Sequence, residues 1–437
     1  MDKFFTAVQL DEDLCKGCIN CIKRCPTQAI RVRKGRAVIT KEFCIDCGEC
    51  IRVCPHHAKK AVFDSIDILK KYEYTVALPA PTLYGQLNNL DDINIVLTAL
   101  KRMGFDDVYE VSGAAELVSE LSRQYVEEHK EQWPIISTAC PSIVRLIRVR
   151  FPNLIPHLLP IQAPADLAAT IARKNAMEKT GLPSERIGII FISPCPAKVS
   201  AARHPLGIES SNIDGVLAIK AVYPQLINTM PKVLDEIEEL AISGRIGIGW
   251  GICGGEASGL LRENYLAADG IENVIRVLED LEDEKFSNLE FIELNACSGG
   301  CVGGVLTVEN PYVAEVKMKR LVKYMPIART HLRKDEGFEK AKKEIDPYWN
   351  TTVEYEPVFR LGENMRENIN KMSRVEELCQ LFPALDCGAC GAPTCQALAE
   401  DIVRGVACEQ DCMYVLRQRL HKLSGEISLL DRTEKKE

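Results

Sequence analysis

Short apolar runs alternate with amphipathic stretches through the middle of this chain. Residues 75–82 predict a strand that runs into a proline-punctuated loop, and residues 96–104 predict an amphipathic helix ended by glycine. Further short apolar runs that predict strands occupy residues 134–138, 187–194, 216–219, 245–250 and 289–294. This alternation predicts an α/β fold with parallel sheets.

Cysteines follow three of these predicted strands directly. Cys140 comes after residues 134–138 and Cys195 after residues 187–194, whereas Cys297 and Cys301 lie in a glycine-rich stretch after residues 289–294. Parallel sheets place their ligand crevice past the carboxyl ends of the strands. Four thiols converging at such an edge would suit a cubane iron-sulfur cluster.

The segments around these cysteines resemble the three signature motifs of [FeFe]-hydrogenases. The matching stretches are Thr-Ala-Cys-Pro at 138–141, Ser-Pro-Cys-Pro-Ala-Lys at 193–198 and Glu-Leu-Asn-Ala-Cys-Ser-Gly-Gly-Cys at 293–301. The resemblance implies a two-lobed catalytic domain over residues 73–346, with an H-cluster in the cleft between the lobes. It further implies that a cubane is bound by Cys140, Cys195, Cys297 and Cys301. Cys301 would also bridge to a diiron subsite that carries carbonyl, cyanide and a bridging dithiolate.

The resemblance also implies which residues surround that diiron subsite. Lys198 would hydrogen-bond a cyanide ligand through its ammonium, a charge-assisted contact; the alternative is a solvated surface lysine. The other positions that match the pocket are Ala80, Pro81, Pro164, Ser193, Pro194 and Asn295.

The proton path departs from the family pattern. Efficient hydrogenases carry a proton-transferring cysteine where this chain has Ala139, which has no exchangeable proton. Ser122, Tyr125 and Leu159 occupy the positions of the family's carboxylate and hydroxyl relay. Loss of a general acid slows turnover by roughly 10²–10⁴-fold. We therefore expect slow turnover without loss of hydrogen binding.

Other residues are candidates for the missing proton donor. The pocket around them also differs in polarity from the family pattern, since Ser193 and Asn295 stand in place of two methionines and make it more polar. Cys253, on a glycine-rich loop, could supply a proton from another side, although buried free cysteines are commonly inert packing. The remaining candidates are Glu116, Glu120 and His204.

Residues 1–72 contain a repeated cysteine pattern. Each half has the spacing Cys-x2-Cys-x2-Cys-x3-Cys-Pro of two-cluster bacterial ferredoxins, in which the fourth cysteine of each run binds the other cluster. This predicts a ferredoxin-like α+β domain with two [4Fe-4S] clusters; the alternative is a zinc site made of Cys-x2-Cys pairs. One predicted ligand set is Cys15, Cys18, Cys21 and Cys54, and the other is Cys44, Cys47, Cys50 and Cys25.

A third cysteine-rich segment follows a connector at residues 347–375, of which residues 348–357 are predicted to be irregular. Residues 376–412 predict a small, mostly helical [4Fe-4S] domain, with zinc as the alternative. Its predicted ligands are Cys387, Cys390, Cys395 and Cys408. Residues 413–437 then predict an amphipathic helix whose apolar stripe would either dock on its own domain or form a homodimer seam. Cys253, Cys379 and Cys412 stay unassigned.

Composition limits which partners the protein is expected to bind and in which cellular compartment it is expected to lie. The 437 residues carry a net charge of −8, which disfavours binding to nucleic acid, and no apolar run is long enough to span a membrane. Nineteen cysteines in a long chain without a secretory start indicate a reducing cytoplasm, with thiols committed to clusters.

Three functions fit this sequence. We favour a sensory [FeFe]-hydrogenase that binds H2 and slowly oxidises or evolves it, exchanges electrons with a carrier such as ferredoxin, and signals to a separate partner protein. The second candidate is a fully catalytic, ferredoxin-linked hydrogenase with an unusual proton path. The third is an iron-sulfur assembly or electron-transfer protein without a diiron site.

Overall fold

The computed structural model describes residues 5–286, 288–330, 345–357 and 364–434, with side chains described up to residue 424. The outer limits of the predicted segments, at residues 1 and 437, lie outside the described residues. The same holds for residues 331–344 of the predicted hydrogenase domain and for residues 358–363 of the predicted connector. The side chains of Ile427 and Leu430, at the end of the predicted apolar stripe on the last helix, are not among those described.

Contacts between residues divide the chain into two units. The first contains Met1–Val8, Ile45–Gly48 and Ala61–Glu356, and the second contains Gln9–Cys44, Glu49–Lys60 and Pro357–Glu437. Most of the predicted ferredoxin-like segment therefore shares a unit with the predicted C-terminal domain. The sequence-based boundaries at 72, 346, 375 and 412 stay predictions.

The first unit is α/β with two parallel sheets, as the apolar pattern predicts. The strands are β5 (Tyr74–Pro79), β6 (Asp107–Val108), β7 (Ile135–Ile136), β8 (Ile187–Ser193), β9 (Gly215–Ala218), β10 (Tyr265–Asp269) and β11 (Phe291–Asn295). One sheet has the order β6-β5-β8-β9 and the other β10-β11-β7, and all the pairings are parallel. Every residue of β8 is buried, as expected for a central strand covered on both faces.

Helices cover these sheets. They are α3 (Ile93–Arg102), α4 (Val111–Glu128), α5 (Pro141–Arg150), α6 (Pro164–Thr180), α7 (Pro196–Arg203), α8 (Ile219–Thr229), α9 (Arg245–Gly249), α10 (Gly255–Gly259), α11 (Ile271–Glu282) and α12 (Pro311–Val322). On the amphipathic helix α3, Val96, Leu97 and Leu100 are fully buried, whereas Lys101 and Arg102 form its last turn. Such one-sided burial is what anchors a helix of this length on a sheet.

The predicted strand at residues 245–250 is wrong, because Arg245–Gly249 form the short helix α9. Short apolar runs do not distinguish a strand from a buried helical turn. Here the carboxylate of Glu116 decides the outcome, since it accepts hydrogen bonds from the backbone N–H groups of Gly244 (2.6 Å) and Gly247 (3.4 Å). These donors belong to the start of the helix, where no intrahelical acceptor exists.

The second unit combines ferredoxin-like and helical parts. Its ferredoxin-like elements are β1 (Val8–Leu10), α1 (Asn20–Lys23), β2 (Ile30–Arg33), β3 (Arg36–Ile39), α2 (Glu49–Arg52) and β4 (Lys59–Ala61), with β2 and β3 antiparallel. The C-terminal helices are α13 (Met365–Leu381), α14 (Cys395–Val403) and α15 (Met413–Glu434). Val375, Leu378, Leu398 and Val415 form the core of the helical part.

Two observations bear on membranes and on the last helix. None of the helices in the described part of the chain combines the length and apolar character that a bilayer crossing requires. On α15, Leu420 and Leu423 are 57% and 53% exposed. The predicted homodimer seam and the predicted docking of this helix both stay predictions.

Candidate functional site

Two of the predicted cluster cysteines stand at helix N-termini. Cys140 is the N-cap of α5 and Cys195 is the N-cap of α7, and each is followed by a proline at the first helical position. Proline suits that position because the N–H it lacks would have no intrahelical acceptor. The positive end of the helix dipole also favours a thiolate or another anionic group there.

Cys297 and Cys301 lie on the glycine-rich turn after β11. The N–H of Gly300 donates to the carbonyl of Cys297 over 3.1 Å, which closes the turn. Gly300 has φ +83°, and a Cβ at this position would lie 2.5 Å from the backbone nitrogen of Cys253. Only glycine fits such a left-handed residue packed against another backbone. The turn can therefore approach the loop that carries Cys253.

Thiols from the three segments lie close enough for their charges to act on one another. Burial raises the pKa of Cys195 to about 12; the nearby ammonium of Lys198 opposes this rise, and the charges of Cys301 and Cys140 add to it. Burial likewise raises the pKa of Cys140. Binding a cluster here must displace thiol protons, as metal binding to cysteine does in general.

Lys198 lies among these thiols. Its Nζ is 4.0 Å from Sγ of Cys301. Burial lowers the pKa of Lys198, but the charges of Cys301, Cys195 and Cys140 outweigh burial and leave the pKa raised. A partly buried ammonium surrounded by sulfur ligands does not match the alternative of a solvated surface lysine.

One cavity gathers most of the residues assigned to the diiron pocket. From the predicted set, its lining includes Ala80, Pro81, Ala139, Pro164, Pro194, Lys198, Asn295 and Cys301. Ser193 is buried beside it, with its hydroxyl bonded to the backbone of Cys195. The lining also contains Glu256 and Glu293, two carboxylates to which the sequence assigned no role.

The residues present fit an anionic group that needs hydrogen-bond donors. Thr82 lines the cavity, and its Oγ1 is buried without a hydrogen-bond partner among the described residues. Buried polar atoms are rarely left unpaired. Together with the Lys198 ammonium, this hydroxyl gives the cavity two donors for an anionic group.

Glu256 is the carboxylate that lies next to the missing cysteine. The hydroxyl of Ser137 donates to Oε2 of Glu256 over 2.6 Å and accepts from the N–H of Ala139 over 3.3 Å. Burial raises the pKa of Glu256 well above its ordinary range, and the charge of Glu293 raises it further. Such a carboxyl group can carry a proton near neutral pH.

Glu293 links this carboxyl group to the loop of Cys253. Its carboxylate accepts from the N–H of Gly254 (3.0 Å), the N–H of Ala257 (2.8 Å) and the side chain of Asn295 (2.7 Å). Burial raises the pKa of the Cys253 thiol to about 12, and the charges of Glu293 and Asp269 add to the rise. Cys253 therefore stands beside Glu293 but is not itself part of the cavity lining.

Glu116, a candidate proton donor in the sequence, has a structural role here. Besides binding the start of α9, its carboxylate accepts from the N–H groups of Arg329 (2.9 Å) and Thr330 (2.7 Å). A carboxylate that accepts four backbone hydrogen bonds is held in place. It does not line the cavity.

In the described part of the chain, the residues at the positions of the family's proton relay do not form a continuous hydrogen-bonded path. The hydroxyl of Ser122 is buried without a hydrogen-bond partner among the described residues, and Tyr125 donates to Gln132 over 3.0 Å. Leu159 is buried and apolar. Glu120 is half-buried on α4, and His204 is exposed and stacks on Phe5.

The first predicted ferredoxin ligand set is also gathered in space. Burial raises the pKa of Cys21; the charge of Lys59 opposes the rise, and the charges of Cys18, Cys54 and Cys15 add to it. In the other predicted set, Cys25 accepts a hydrogen bond from the N–H of Ala29 over 3.2 Å. Among the described residues no three His, Cys, Asp or Glu side chains approach closely enough to hold a single metal ion.

In the C-terminal segment, the structure raises a competing fourth ligand. Burial raises the pKa of Cys390, and the charges of Cys387 and Cys412 add to the rise. Cys412 is 7% exposed and belongs to the helical core, which Cys395 also contacts. The predicted ligand Cys408 is exposed, and its sulfur accepts from the backbone of Asp411 as a helix cap.

Within the second unit, the cysteine loop of the C-terminal segment packs on the ferredoxin-like elements. The N–H of Val32 in β2 donates to the carbonyl of Gly391 over 2.8 Å. Lys23 in α1 donates to the carbonyls of Pro393 (2.9 Å) and Asp386. The loop that carries Cys387 and Cys390 thus contacts α1, the helix of Cys21.

A buried ion pair supports the same contact. Asp401 accepts from Arg31 Nε over 2.7 Å and from Arg33 over 2.5 Å, and its side chain is 3% exposed. Removing one partner of a buried pair leaves an uncompensated charge and is strongly destabilising. This pair therefore holds α14 to β2.

Sequence reasoning missed Glu256 and Glu293, and the sequence held one signal for each. Glu256 is the only charged residue between Arg245 and Arg262, in a run of glycine and small apolar residues. Glu293 lies inside the third cysteine motif. A lone carboxylate in an apolar, glycine-rich stretch is a candidate functional group, because burying it requires a specific environment.

Comparisons with known proteins agree with this geometry. The model of the family described as iron only hydrogenase large subunit, C-terminal domain, matches residues 73–262 and 255–305, more than half of the chain. A 4Fe-4S dicluster domain matches residues 7–55, and an Fe-S cluster domain matches residues 382–414.

Two similar proteins illustrate the range of relatives. The chain is 24% identical over 362 residues to the NADP-reducing hydrogenase subunit HndD of Solidesulfovibrio fructosivorans, which covers 70% of this chain and 59% of that protein. It is 31% identical over 97 residues to the cytosolic Fe-S cluster assembly factor NAR1 of Botryotinia fuckeliana. This match covers 22% of this chain and 16% of that protein. The chain thus spans less than two thirds of the length of these relatives.

A solved structure supports the fold. Apo [FeFe]-hydrogenase HydA1 of Chlamydomonas reinhardtii matches with a TM-score of 0.50 and 15% sequence identity, covering 68% of this chain and 97% of that one. This likeness concerns the fold alone. The family match and the two matched iron-sulfur domains show that this chain is a hydrogenase-like iron-sulfur protein. The chain belongs to the family of the iron-only hydrogenase large subunit, C-terminal domain.

Proposed function

We propose that this protein is a sensory [FeFe]-hydrogenase: it binds H2 at an H-cluster, turns it over slowly, and passes the resulting redox change to a partner. The observation that carries this proposal is the cavity beside Cys301. It offers donors for a diiron group but has Ala139 where a proton-transferring thiol would stand. Binding is thereby favoured over rapid proton exchange.

The chain's own residues divide the work at this cavity. Cys140, Cys195, Cys297 and Cys301 would hold the cubane. Lys198 and Thr82 would hydrogen-bond the ligands of the diiron group. That group, when bound, supplies the chemistry that splits dihydrogen. The apolar lining, which includes Val111 and Phe191, excludes water and so strengthens the charge-assisted contacts of Lys198.

Protons would pass through Glu256. Its carboxyl group lines the cavity and is linked through Ser137 to the backbone at Ala139. Glu293 beside it would relay protons toward Cys253. Because a carboxyl group in this position is one hydrogen-bonded step further from the chemistry than a thiol at residue 139, we expect slower turnover than in a hydrogenase with that thiol.

Electrons would leave or enter through the ferredoxin-type clusters and the C-terminal cluster. The latter's loop is packed on α1, so an electron could pass between them without a separate carrier. Cys387 is exposed, which places an edge of this cluster within reach of a redox partner. A fully catalytic, ferredoxin-linked hydrogenase, the second function that fits the sequence, would use the same electron route.

A second function, iron-sulfur cluster assembly, is favoured by a specific comparison. A protein named probable cytosolic Fe-S cluster assembly factor from Drosophila ananassae is 21% identical over 290 residues and covers 53% of this chain. In that case the cubane cysteines would be used and the cavity beside Cys301 would hold no diiron group.

Infrared spectroscopy of the full chain matured with a synthetic diiron cofactor separates these functions. We expect carbonyl and cyanide bands that shift under H2, together with a low H2 oxidation rate. Absence of the bands would leave the assembly function. A rate equal to that of a standard hydrogenase would exclude the sensory function and favour the catalytic one.

A further inference from the structure

Lys59 is a buried lysine for which the functions above provide no role. It opens β4 and is 3% exposed, and its Nζ has no hydrogen-bond partner among the described residues. The next residue, Lys60, shows the usual arrangement, with a side chain 58% exposed and bonded to Asp11 over 2.6 Å. Burying an ammonium without a partner is costly. A compensating negative group is therefore expected nearby.

Lys59 lies near one ferredoxin-type ligand set, because the N–H of the preceding residue, Ala58, donates to Sγ of Cys54 over 3.3 Å. The charge of Lys59 acts on Cys21, whose other charged neighbours are Cys18, Cys54 and Cys15. These four residues are the predicted ligands of one cluster. A [4Fe-4S] cluster with four thiolates carries net negative charge, and it would be the missing counter-charge of the ammonium.

The internal repeat shows that the fold does not require lysine at this position. Cys25-Pro-Thr-Gln-Ala-Ile30 in the first half corresponds to Cys54-Pro-His-His-Ala-Lys59 in the second. In both halves an alanine N–H donates to the cysteine sulfur, Ala29 to Cys25 over 3.2 Å and Ala58 to Cys54 over 3.3 Å. Ile30 is 2% exposed. An apolar side chain thus fills the equivalent space in the first half.

We propose that Lys59 sets the order in which the two ferredoxin-type clusters fill with electrons. Its ammonium would be the counter-charge of the cluster that Cys15, Cys18, Cys21 and Cys54 would hold. Reduction adds one electron to that cluster and neither forms nor breaks a bond. A fixed positive charge stabilises the more negative reduced form. The cluster beside Lys59 therefore has the higher reduction potential of the two and accepts the first electron.

This inference rests on the proposed ferredoxin-type clusters and is independent of hydrogen chemistry. The test is a potentiometric titration, followed by electron paramagnetic resonance, of the full chain carrying its cubanes but no diiron cofactor. Lys59→Ile, which copies the first half of the repeat, should lower the reduction equilibrium constant of one cluster roughly tenfold, which is about 59 mV for one electron. Lys59→Arg, which keeps the charge, should retain the potential.

Lys60→Met is the matched control, since it removes the same charge from the same strand at the surface. It should leave both potentials unchanged. The proposal is overturned if Lys59→Ile with full iron content titrates like the parent protein, or if Lys60→Met shifts a potential equally. If Lys59→Ile does not retain its clusters, Lys59→Met provides the same comparison, and equal potentials in Lys59→Met and the parent protein overturn the proposal.

Discussion

The cavity beside Cys301 and the C-terminal cysteine segment both gather thiols, but in opposite environments. At the cavity the cysteines come from three distant segments at strand ends and helix starts, and Cys140 and Cys195 have pKa values raised by burial. In the C-terminal segment, Cys387, Cys390 and Cys395 lie within nine residues of one another, and Cys387 is exposed.

The difference separates two kinds of redox chemistry. A buried site among apolar walls can hold an anionic group only with dedicated hydrogen-bond donors, here Lys198 and Thr82. Protons must then travel through named residues. An exposed site needs no proton path and can exchange electrons with a partner at the surface.

Replacing Cys301 should eliminate the buried site altogether. In Cys301→Ser the hydroxyl is a poor ligand for iron and cannot bridge to a diiron group, so maturation should yield no carbonyl or cyanide infrared bands. Cys379→Ser, which removes a thiol from the C-terminal segment, is the control and should keep the bands. Normal bands in Cys301→Ser would show that another residue anchors the diiron group.

The exposed site should depend on Cys412 more than on Cys408. Cys412 is buried and coupled to Cys390, whereas the sulfur of Cys408 caps a helical turn. We expect Cys412→Ser to lose one cluster's worth of iron and sulfide, and Cys408→Ser to retain it. The two variants control for each other. The reverse result would restore Cys408 as the fourth ligand, the assignment made from sequence spacing.

Removing the proton from Glu256 should slow turnover without removing the cofactor. Glu256→Gln keeps the shape and a hydrogen bond to Ser137 but has no acidic proton, so H2 oxidation should fall roughly 10²–10⁴-fold. The measurement is the rate with a dye acceptor, beside infrared bands of unchanged intensity. Glu127→Gln, an exposed residue bonded to Arg262, is the control. An unchanged rate in Glu256→Gln would place the proton path elsewhere.

Breaking the ion pair of Asp401 should loosen the C-terminal cysteine loop. Asp401→Asn leaves Arg31 and Arg33 without a carboxylate, at a cost of about 3–5 kcal/mol for a buried pair. Hydrogen exchange of the Val32 amide, which bonds Gly391, reports the opening. Glu409→Gln, at an exposed pair, should cost under about 1 kcal/mol. Equal protection in both variants would show that the pair does not hold the loop.

Adding the missing thiol should have a smaller, positive effect. Ala139→Cys places an exchangeable proton on the cavity wall next to the Ser137 hydroxyl, and H2 oxidation should rise about tenfold or more if proton supply limits turnover. Ala139→Ser is the control, because a hydroxyl is a much weaker acid. No increase would show that turnover is limited by another step, such as electron exit.

Much of this fold could be predicted from local patterns in the sequence. The apolar runs at residues 75–82 and 187–194 became β5 and β8, because a fully apolar run of that length is stable when both faces are covered. The run at 245–250 had the same appearance but became α9. There a distant carboxylate, Glu116, supplies acceptors for the backbone N–H groups of a helix start, and nothing within the run itself reveals that partner.

The sequence by itself supplied the predicted cysteine sets of the ferredoxin-type clusters and of the cubane, since cysteine spacing and its repetition are local and specific. It also showed that residue 139 is an alanine, whose side chain has no exchangeable proton. Only the tertiary structure brought Glu256 to the wall beside Ala139, put Cys412 against Cys390, and buried Lys59 next to Cys21. Proximity across the chain and the loss of water around a charge depend on how segments pack, and these two quantities decide what a carboxyl or ammonium group can do.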